Sequence, residues 1–273
     1  MAAAAWCAGG NLIMGNVRVL VLRAAGINCE EEIVHGWCLA GAEATLLHVT
    51  KLAEKPALLN DYQILTIPGG FSYGDDIAAG TILAQRLTLE LEDSIRQFVD
   101  RGGGVLGVCN GFQVLVKAGL LPGGKWDRDR VTITHNDSAK FEARWVRLRV
   151  CTARCAFLRN GEILEMPVEH GEGKVMTAGE GTAAALDSQG RIALRYVDAN
   201  GWHGQYPANP NGSVDGIAGL CDATGRVFGL MPHPDRHLDH TQHPLWTRRR
   251  LKPKEPPDGL KVFIQAVEYW RRG

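Results

Sequence analysis

Residues 17–22, VRVLVL, are a run of apolar, β-branched character that gives way to Ala24-Ala25-Gly26, the pattern of a buried parallel strand ending in a turn. EATLLHV at 43–49 and YQILTI at 62–67 repeat it, and Ile33, Val34, Trp37 and Leu39 mark a helix between the first two. Further on, Leu87, Leu91, Ile95, Phe98 and Val99 share one helical face while Glu90, Asp93 and Arg96 fall outside it, which predicts an amphipathic helix over 87–101. GGGVLGV then predicts another strand and 111–118 another helix. Alternation of this kind calls for a parallel sheet covered on both faces.

The second half changes character. Short strand-like pieces at 145–150, 192–196, 216–220 and 227–231 are separated by Gly, Asn and Pro turns, so hairpins are expected. The spacing of Leu260, Phe263, Ile264, Val267 and Trp270 predicts a closing helix packed on the sheet. No repeat or low-complexity linker divides the chain, which reads as one domain over 17–273. Residues 1–16 read as a frayed N-terminal extension, small and apolar but without the basic start of a secretory signal.

Composition narrows the classes. Lys plus Arg and Asp plus Glu both number 30, so no global field draws in nucleic acid or an anionic membrane. No segment approaches the roughly 18 uninterrupted apolar residues of a membrane span. Seven scattered cysteines in a chain of 273 residues fit reduced thiols and a cytoplasmic setting better than a disulfide framework.

The chemistry concentrates in Gly107-Val108-Cys109-Asn110-Gly111-Phe112-Gln113, between a buried strand and a helix. A cysteine is ordinarily a small buried apolar residue. On a sharp strand-to-helix turn it becomes something else, because the helix N-terminus favours thiolate, and the flanking glycines fit where backbone comes too close for a Cβ. Met231-Pro232-His233-Pro234-Asp235, after the strand at 227–230, presents an imidazole from the same sheet edge. In an extended segment Asp235 projects to the same side as His233 and orients it. Ile67-Pro68-Gly69-Gly70-Phe71 ends another strand with backbone N–H groups that, with that of Asn110, compose an oxyanion hole.

These three elements, in this order, resemble the class I glutamine amidotransferases. Within that class the chain is similar to the glutaminase subunits of phosphoribosylformylglycinamidine synthases. That likeness is carried by Gly26–Glu30, Pro68–Asp75, Gly107–Pro122, Asn136–Phe141, His170–Gly173, Asn209–Ser213 and Met231–Asp235. Two positions depart from the family pattern: Asp235 stands where it has Glu, shortening the orienting acid by one methylene, and Gly-Ile-Asn-Cys-Glu replaces Gly-Ser/Thr-Asn-Cys-Asp at 26–30.

The resemblance implies a flavodoxin-like three-layer sandwich with a mostly parallel central sheet and hairpin additions in the second half. It implies Cys109 as nucleophile, His233 as general base and acid, Asp235 as its orienter, Gly69, Gly70 and Asn110 around the oxyanion, and Gln113 holding the substrate glutamine. No cofactor or metal is implied in this chain. Ammonia would pass to a large synthetase subunit, which uses Mg-ATP to convert formylglycinamide ribonucleotide to formylglycinamidine ribonucleotide, with a small bridging subunit between them.

Other motifs read as coincidence. Gly102–Gly107 matches G-x-G-x-x-G but precedes a strand, and Gly119–Lys125 lacks the hydroxyl that binds magnesium, since Trp126 follows the lysine. His237, His240 and His243 sit at regular spacing in what reads as a solvated polar loop, and Cys151 with Cys155 completes no metal set. The basic run 247–254, with Arg248, Arg249 and Arg250, reads as a solvated linker that could dock an acidic synthetase surface. Two other classes fit parts of the pattern: a cysteine hydrolase or peptidase, which calls for neither Gln113 nor the late His-Pro-acid, and a non-catalytic scaffold.

Overall fold

The computed structural model describes residues 17–123, 130–179, 181–249 and 255–272. The extension expected over 1–16, Lys125 and Trp126 of the P-loop-like stretch, and Arg250 to Lys254 lie outside the described residues.

The first half alternates strand and helix: β1 (Arg18–Arg23), α1 (Glu30–Leu39), β2 (Glu43–His48), α2 (Val49–Glu54), β3 (Ile64–Ile67), α3 (Thr81–Asp100), β4 (Gly104–Val108) and α4 (Asn110–Ala118). The second half is strand-rich, with β5 (Val131–Thr134), β6 (Glu142–Val150), β7 (Ile163–His170), β8 (Lys174–Thr177), α5 (Thr182–Ser188), β9 (Ile192–Val197), β10 (Ile217–Cys221), β11 (Val227–Leu230) and α6 (Asp258–Arg272).

Among the described residues one sheet runs in the order β2-β1-β3-β4-β11-β10-β9-β6-β7, and β5 pairs separately with β8. From β2 to β11 every pairing is parallel. From β11 to β7 every pairing is antiparallel. The two textures of the sequence are thus the two halves of one sheet. A single apolar core runs through both, from Val19 in β1 to Phe263 in α6.

Helices cover both faces. α3 buries Leu83, Leu87, Leu91, Ile95 and Phe98 and packs beside α4, while α1 packs beside α6. Each such large side chain contributes about 1.5–3 kcal/mol on burial. Trp37 of α1 meets Phe263 of α6 edge-on at 4.9 Å between ring centroids, and its indole N–H donates to Thr66 Oγ1 of β3 at 3.1 Å. That bond satisfies a polar atom which full burial would otherwise penalise.

The arrangement that matters for chemistry is the parallel pairing of β4 with β11, in which Val108 lies opposite Leu230. Both strands end at the same sheet edge, so the residues after them, Cys109 and Met231–Asp235, emerge side by side.

Candidate active site

Cys109 sits between β4 and α4 with φ 49° and ψ −103°, a conformation that costs a non-glycine residue on the order of 1–3 kcal/mol. Two neighbours make that turn sterically feasible. A Cβ on Gly111 would come within 1.9 Å of Ile67 O, and one on Gly107 within 2.6 Å of Gly111 O. The Cys109 N–H donates to Leu230 O at 2.8 Å, which ties the turn to β11, and Gln113 N–H donates to Cys109 O at 3.1 Å, which opens the helix. The thiol is only 6 % exposed, and Sγ lies 3.6 Å from Glu169 O.

His233 and Asp235 are more deeply enclosed, at 2 % and 1 % exposure. The extended segment expected for them is instead a 3-10 turn over Pro234–Arg236, with Pro234 at its first position. The pairing survives this change because the turn brings the carboxylate back beneath the ring: His233 Nδ1 lies 3.3 Å from Asp235 Oδ1 and 3.5 Å from Oδ2. Only the longer approach has hydrogen-bonding geometry, which leaves Oδ1 and the far ring nitrogen, Nε2, without partners. The His233 N–H donates to Pro167 O of β7 at 2.8 Å, fixing the turn against the sheet. Burial opposes a charge on this imidazole, yet the Asp235 carboxylate and, after it, Cys109 hold its pKa well above the usual histidine range.

The third expected segment closes over the same point. A Cβ on Gly69 would lie 2.8 Å from His233 Cε1 and 3.5 Å from Cys109 Cβ, so this one glycine touches both groups. Gly70, at φ 137°, bridges Ile27 through bonds from Asn28 N–H to Gly69 O and from Phe71 N–H to Gly26 O; its own N–H takes part in neither. The N–H of Asn110, at the start of α4, has no acceptor within its helix. The Asn110 side chain secures the surroundings: Oδ1 accepts from Ser72 N–H, and Nδ2 donates to Asp75 Oδ1 at 3.1 Å and to Gln113 Oε1 at 2.9 Å.

Gln113 stands beside Asn110 on the first turn of α4. It is 4 % exposed and reaches the cavity wall, but its amide is engaged within the protein, by Asn110 at one end and by Glu172 O, to which Nε2 donates, at the other.

Cys109 opens onto a cavity of about 240 Å³ lined also by Gly70, Gln113, His135, Phe141 and Glu172. The Asp75 carboxyl at its back has its pKa raised by burial, against the lowering effect of the Gly80 N–H and Asn110. Larger hollows beside α6 hold no cysteine beside a histidine.

The 170–173 wall of the cavity is held by two buried asparagines, Asn136 and Asn211. Asn136 Nδ2 donates to Lys140 O and His170 O, both at 2.8 Å, while Oδ1 receives Gly173 N–H at 3.0 Å. Asn211 Nδ2 donates to Gly173 O at 2.8 Å, and Asn211 Oδ1 receives Ser213 Oγ at 2.7 Å. With Asn136 Oδ1 an acceptor 3.1 Å from its Nδ1, and Asn211 Nδ2 a donor 3.4 Å from its Nε2, His170 is held as the neutral Nδ1–H tautomer. Burial, and after it the positive charge on His233, depress its pKa to about 4.

Cys29 carries no role in the sequence beyond its place in the phrase at 26–30. It is buried against this centre, 3.4 Å from the position a Gly69 Cβ would take, and receives a bond from Arg236 Nη2 at 3.6 Å. Cys29, His233 and Asp235 offer metal-ligand atoms all within 4.8 Å of one another, the one such group among the described residues. The loop at 26–30 packs tightly on Gly69–Phe71, since a Cβ on Gly26 would meet Phe71 O at 2.0 Å.

The histidine-rich segment departs from the solvated loop read in the sequence. His237 and His243 are each 5 % exposed and pack against Trp145, the first edge-on at 4.9 Å and the second tilted at 4.4 Å between ring centroids. Arg249 pairs with Glu165 at 2.5 Å, so part of the basic run folds back on the sheet.

Residues 16–270 match the family of CobB/CobQ-like glutamine amidotransferase domains. The phosphoribosylformylglycinamidine synthase subunit PurQ of Dehalococcoides mccartyi is 42 % identical over 261 residues, spanning 95 % of this chain and all of that one. The subunit of the same name from Archaeoglobus fulgidus is 41 % identical over 93 % of this chain and 97 % of its own. Among solved structures, PurLQS from Thermotoga maritima contains a chain that superposes with a TM-score of 0.70 at 29 % identity, covering 93 % of this chain and 99 % of that one.

Proposed function

The chain belongs to the CobB/CobQ-like glutamine amidotransferases, and from that premise we propose that it hydrolyses glutamine as the glutaminase subunit of a phosphoribosylformylglycinamidine synthase in purine biosynthesis. The observation that carries this reading is the placing of Cys109, on a strained turn, beside a buried His233–Asp235 pair in a chain that spans its PurQ relatives nearly end to end.

The geometry supports a definite sequence of steps. Cys109 and His233 share a proton, and the carboxylate of Asp235 makes the charged imidazole favourable, which leaves the sulfur as thiolate. Sγ attacks the side-chain amide carbon of glutamine. The oxygen becomes negative and meets the N–H groups of Gly70 and Asn110, with Gly69 giving the room for its approach. His233 gives its proton to the departing nitrogen, ammonia leaves, and a glutamyl thioester remains on Cys109. Water attacks the thioester as His233 takes a proton from it, and glutamate is released with the thiolate restored. Asp235 stays ionised throughout and fixes the Nδ1–H side of the ring. Gln113 acts by positioning Asn110 and Glu172, and the carboxylates of Glu169 and Glu172 suit the cavity to an α-ammonium group.

Residues 17–273 serve as one glutaminase unit, and the work of ATP belongs to a synthetase subunit with which the chain forms a complex, a small subunit bridging the two. No described helix is long and apolar enough to cross a membrane, which fits an enzyme of the cytoplasm. The test is co-purification of the chain with its synthetase, followed by assay for formylglycinamidine ribonucleotide made from glutamine, ATP and formylglycinamide ribonucleotide. Glutamine-dependent product that requires both subunits is expected. Product formation indifferent to this chain would overturn the reading.

A further inference from the structure

We propose that Cys29, His233 and Asp235 form a three-ligand site for a zinc-class divalent cation, whose binding arrests the glutaminase by taking the imidazole away from Cys109. The inference rests on the reading of His233 as the proton carrier, and extends it to a means of stopping it.

The three residues come from the loop before α1 and the turn after β11, so no metal-binding spacing exists in the sequence. The fold alone assembles them. Their ligand atoms lie within 4.8 Å of one another, and their exposures are 3 %, 2 % and 1 %. Zinc bonds of about 2.0–2.3 Å in a tetrahedron place ligand atoms about 3.3–3.8 Å apart. The widest pair must therefore close by roughly an ångström, within reach of small rotations of the short Cys and Asp side chains.

Unmet bonding capacity points the same way. Asp235 Oδ1 is buried without a hydrogen-bond partner, a condition that native interiors seldom leave uncompensated. Nδ1 is the ring nitrogen that faces the carboxylate, so it is the one positioned to ligate together with Asp235. One thiolate, one imidazole and one carboxylate make a donor set suited to zinc rather than to magnesium or calcium, which prefer oxygen alone. Three protein ligands leave a fourth position for water.

A positive group already occupies the neighbourhood. Arg236 sends Nη2 to Cys29 Sγ at 3.6 Å and Nε to Asp235 Oδ2 at 3.8 Å, so the Cys29–Asp235 pair is a place where positive charge is stabilised. The Arg236 side chain is 36 % exposed and also reaches Glu32 at 3.6 Å, which offers it an alternative partner when it withdraws. On binding, the Cys29 thiol and the His233 Nδ1–H each release a proton to solvent, metal–sulfur and metal–nitrogen bonds form, and the ring keeps its one remaining proton on Nε2, so it no longer accepts one from Cys109. Cys109 itself is turned toward Glu169 O and is not one of the ligands.

The test uses the intact complex of this chain with its synthetase. Zinc binding is measured by competition with a chromophoric chelator, and cobalt(II) serves as the spectroscopic probe through its thiolate charge-transfer band. The wild-type complex is expected to bind one zinc per glutaminase chain. Zinc should suppress glutamine-dependent turnover and leave ammonia-dependent turnover intact. In Cys29→Ser the zinc concentration for half-inhibition should rise at least tenfold while the zinc-free rate stays within threefold of wild type, and Cys109→Ser should keep the cobalt–thiolate band. Equal zinc sensitivity in Cys29→Ser, or loss of the band in Cys109→Ser, would overturn the proposal. Should Cys29→Ser fold poorly, the band in Cys109→Ser decides the matter alone. Because metal binding is read without turnover, a failure of the glutaminase reading would leave this result interpretable.

Discussion

Gly69→Ala isolates the contact on which the catalytic pair depends. The backbone at Gly69 is not in the left-handed region, so alanine costs nothing in conformation; what it adds is one methyl 2.8 Å from His233 Cε1. Ordinary contact begins near 3.4 Å, so ring and methyl must separate by the difference, about 0.6 Å. The methyl's other neighbours, Cys29 Sγ at 3.4 Å and Cys109 Cβ at 3.5 Å, accept it unmoved. The displacement therefore falls on the imidazole, whose Nδ1 sits only 3.3 Å from an Asp235 side chain with no exposed surface. A misplacement of about 1 Å in a catalytic group costs roughly a hundredfold, and 0.6 Å scales to about 1.6 kcal/mol, or roughly 10- to 30-fold in kcat/KM. The assay is glutamine hydrolysis with saturating synthetase, with ammonia-dependent synthesis in the same preparation as the control for assembly. Gly179→Ala, where an added Cβ meets nothing within 4 Å, is the control for substitution itself. A Gly69→Ala enzyme of unchanged Tm and kcat/KM within threefold of wild type would refute the reasoning.

Three further outcomes follow from the same geometry. His170 carries a pKa depressed to about 4, so the unfolded chain takes up its proton first as pH falls. Its contribution is complete above the unfolded value near 6.5 and disappears as pH falls toward 4, a loss of about 3 kcal/mol; urea unfolding at several pH values should show this slope in wild type and a shallower one in His170→Gln, and equal slopes would contradict it. Gly111→Ala places a methyl 1.9 Å from Ile67 O and should lower stability by about 3 kcal/mol or more, read as a fall in Tm, whereas an unchanged Tm would mean the turn is not as tight as described. Asp235→Asn keeps the shape of the acid but removes the charge that holds the His233 ring; glutaminase kcat should fall on the order of a hundredfold or more with ammonia-dependent synthesis retained, and a loss under threefold would remove Asp235 from the mechanism.

What could be read in the sequence was what local pattern encodes. β1, β3 and β4 are continuous apolar runs because the parallel half of the sheet is buried on both faces. The Cys109 turn was legible from its glycines, whose need is visible in the close backbone contacts of Gly107 and Gly111. β7 was missed although buried Leu164, Met166 and Val168 alternate with Glu165, Pro167 and Glu169, because a proline inside the run argues against a strand. It is tolerated as an edge strand, bonded only to β6 within the sheet, and lends its Pro167 carbonyl to His233 instead. The start of α3 was missed because its N-cap is Gly80 at φ 74°, without the hydroxyl or carboxylate that announces a helix. Cys29, the Asn136–His170–Asn211 network and the burial of His237 and His243 on Trp145 depend on contacts between residues far apart along the chain. No spacing rule reaches them.

The most direct measurement is the reaction of a complex carrying Cys109→Ala, supplied in turn with glutamine and with ammonia. The account requires glutamine-dependent synthesis of formylglycinamidine ribonucleotide to fall to background while ammonia-dependent synthesis stays within threefold of wild type. Glutamine-dependent synthesis persisting within tenfold of wild type would contradict it, since the amide would then be cleaved without the sulfur of Cys109.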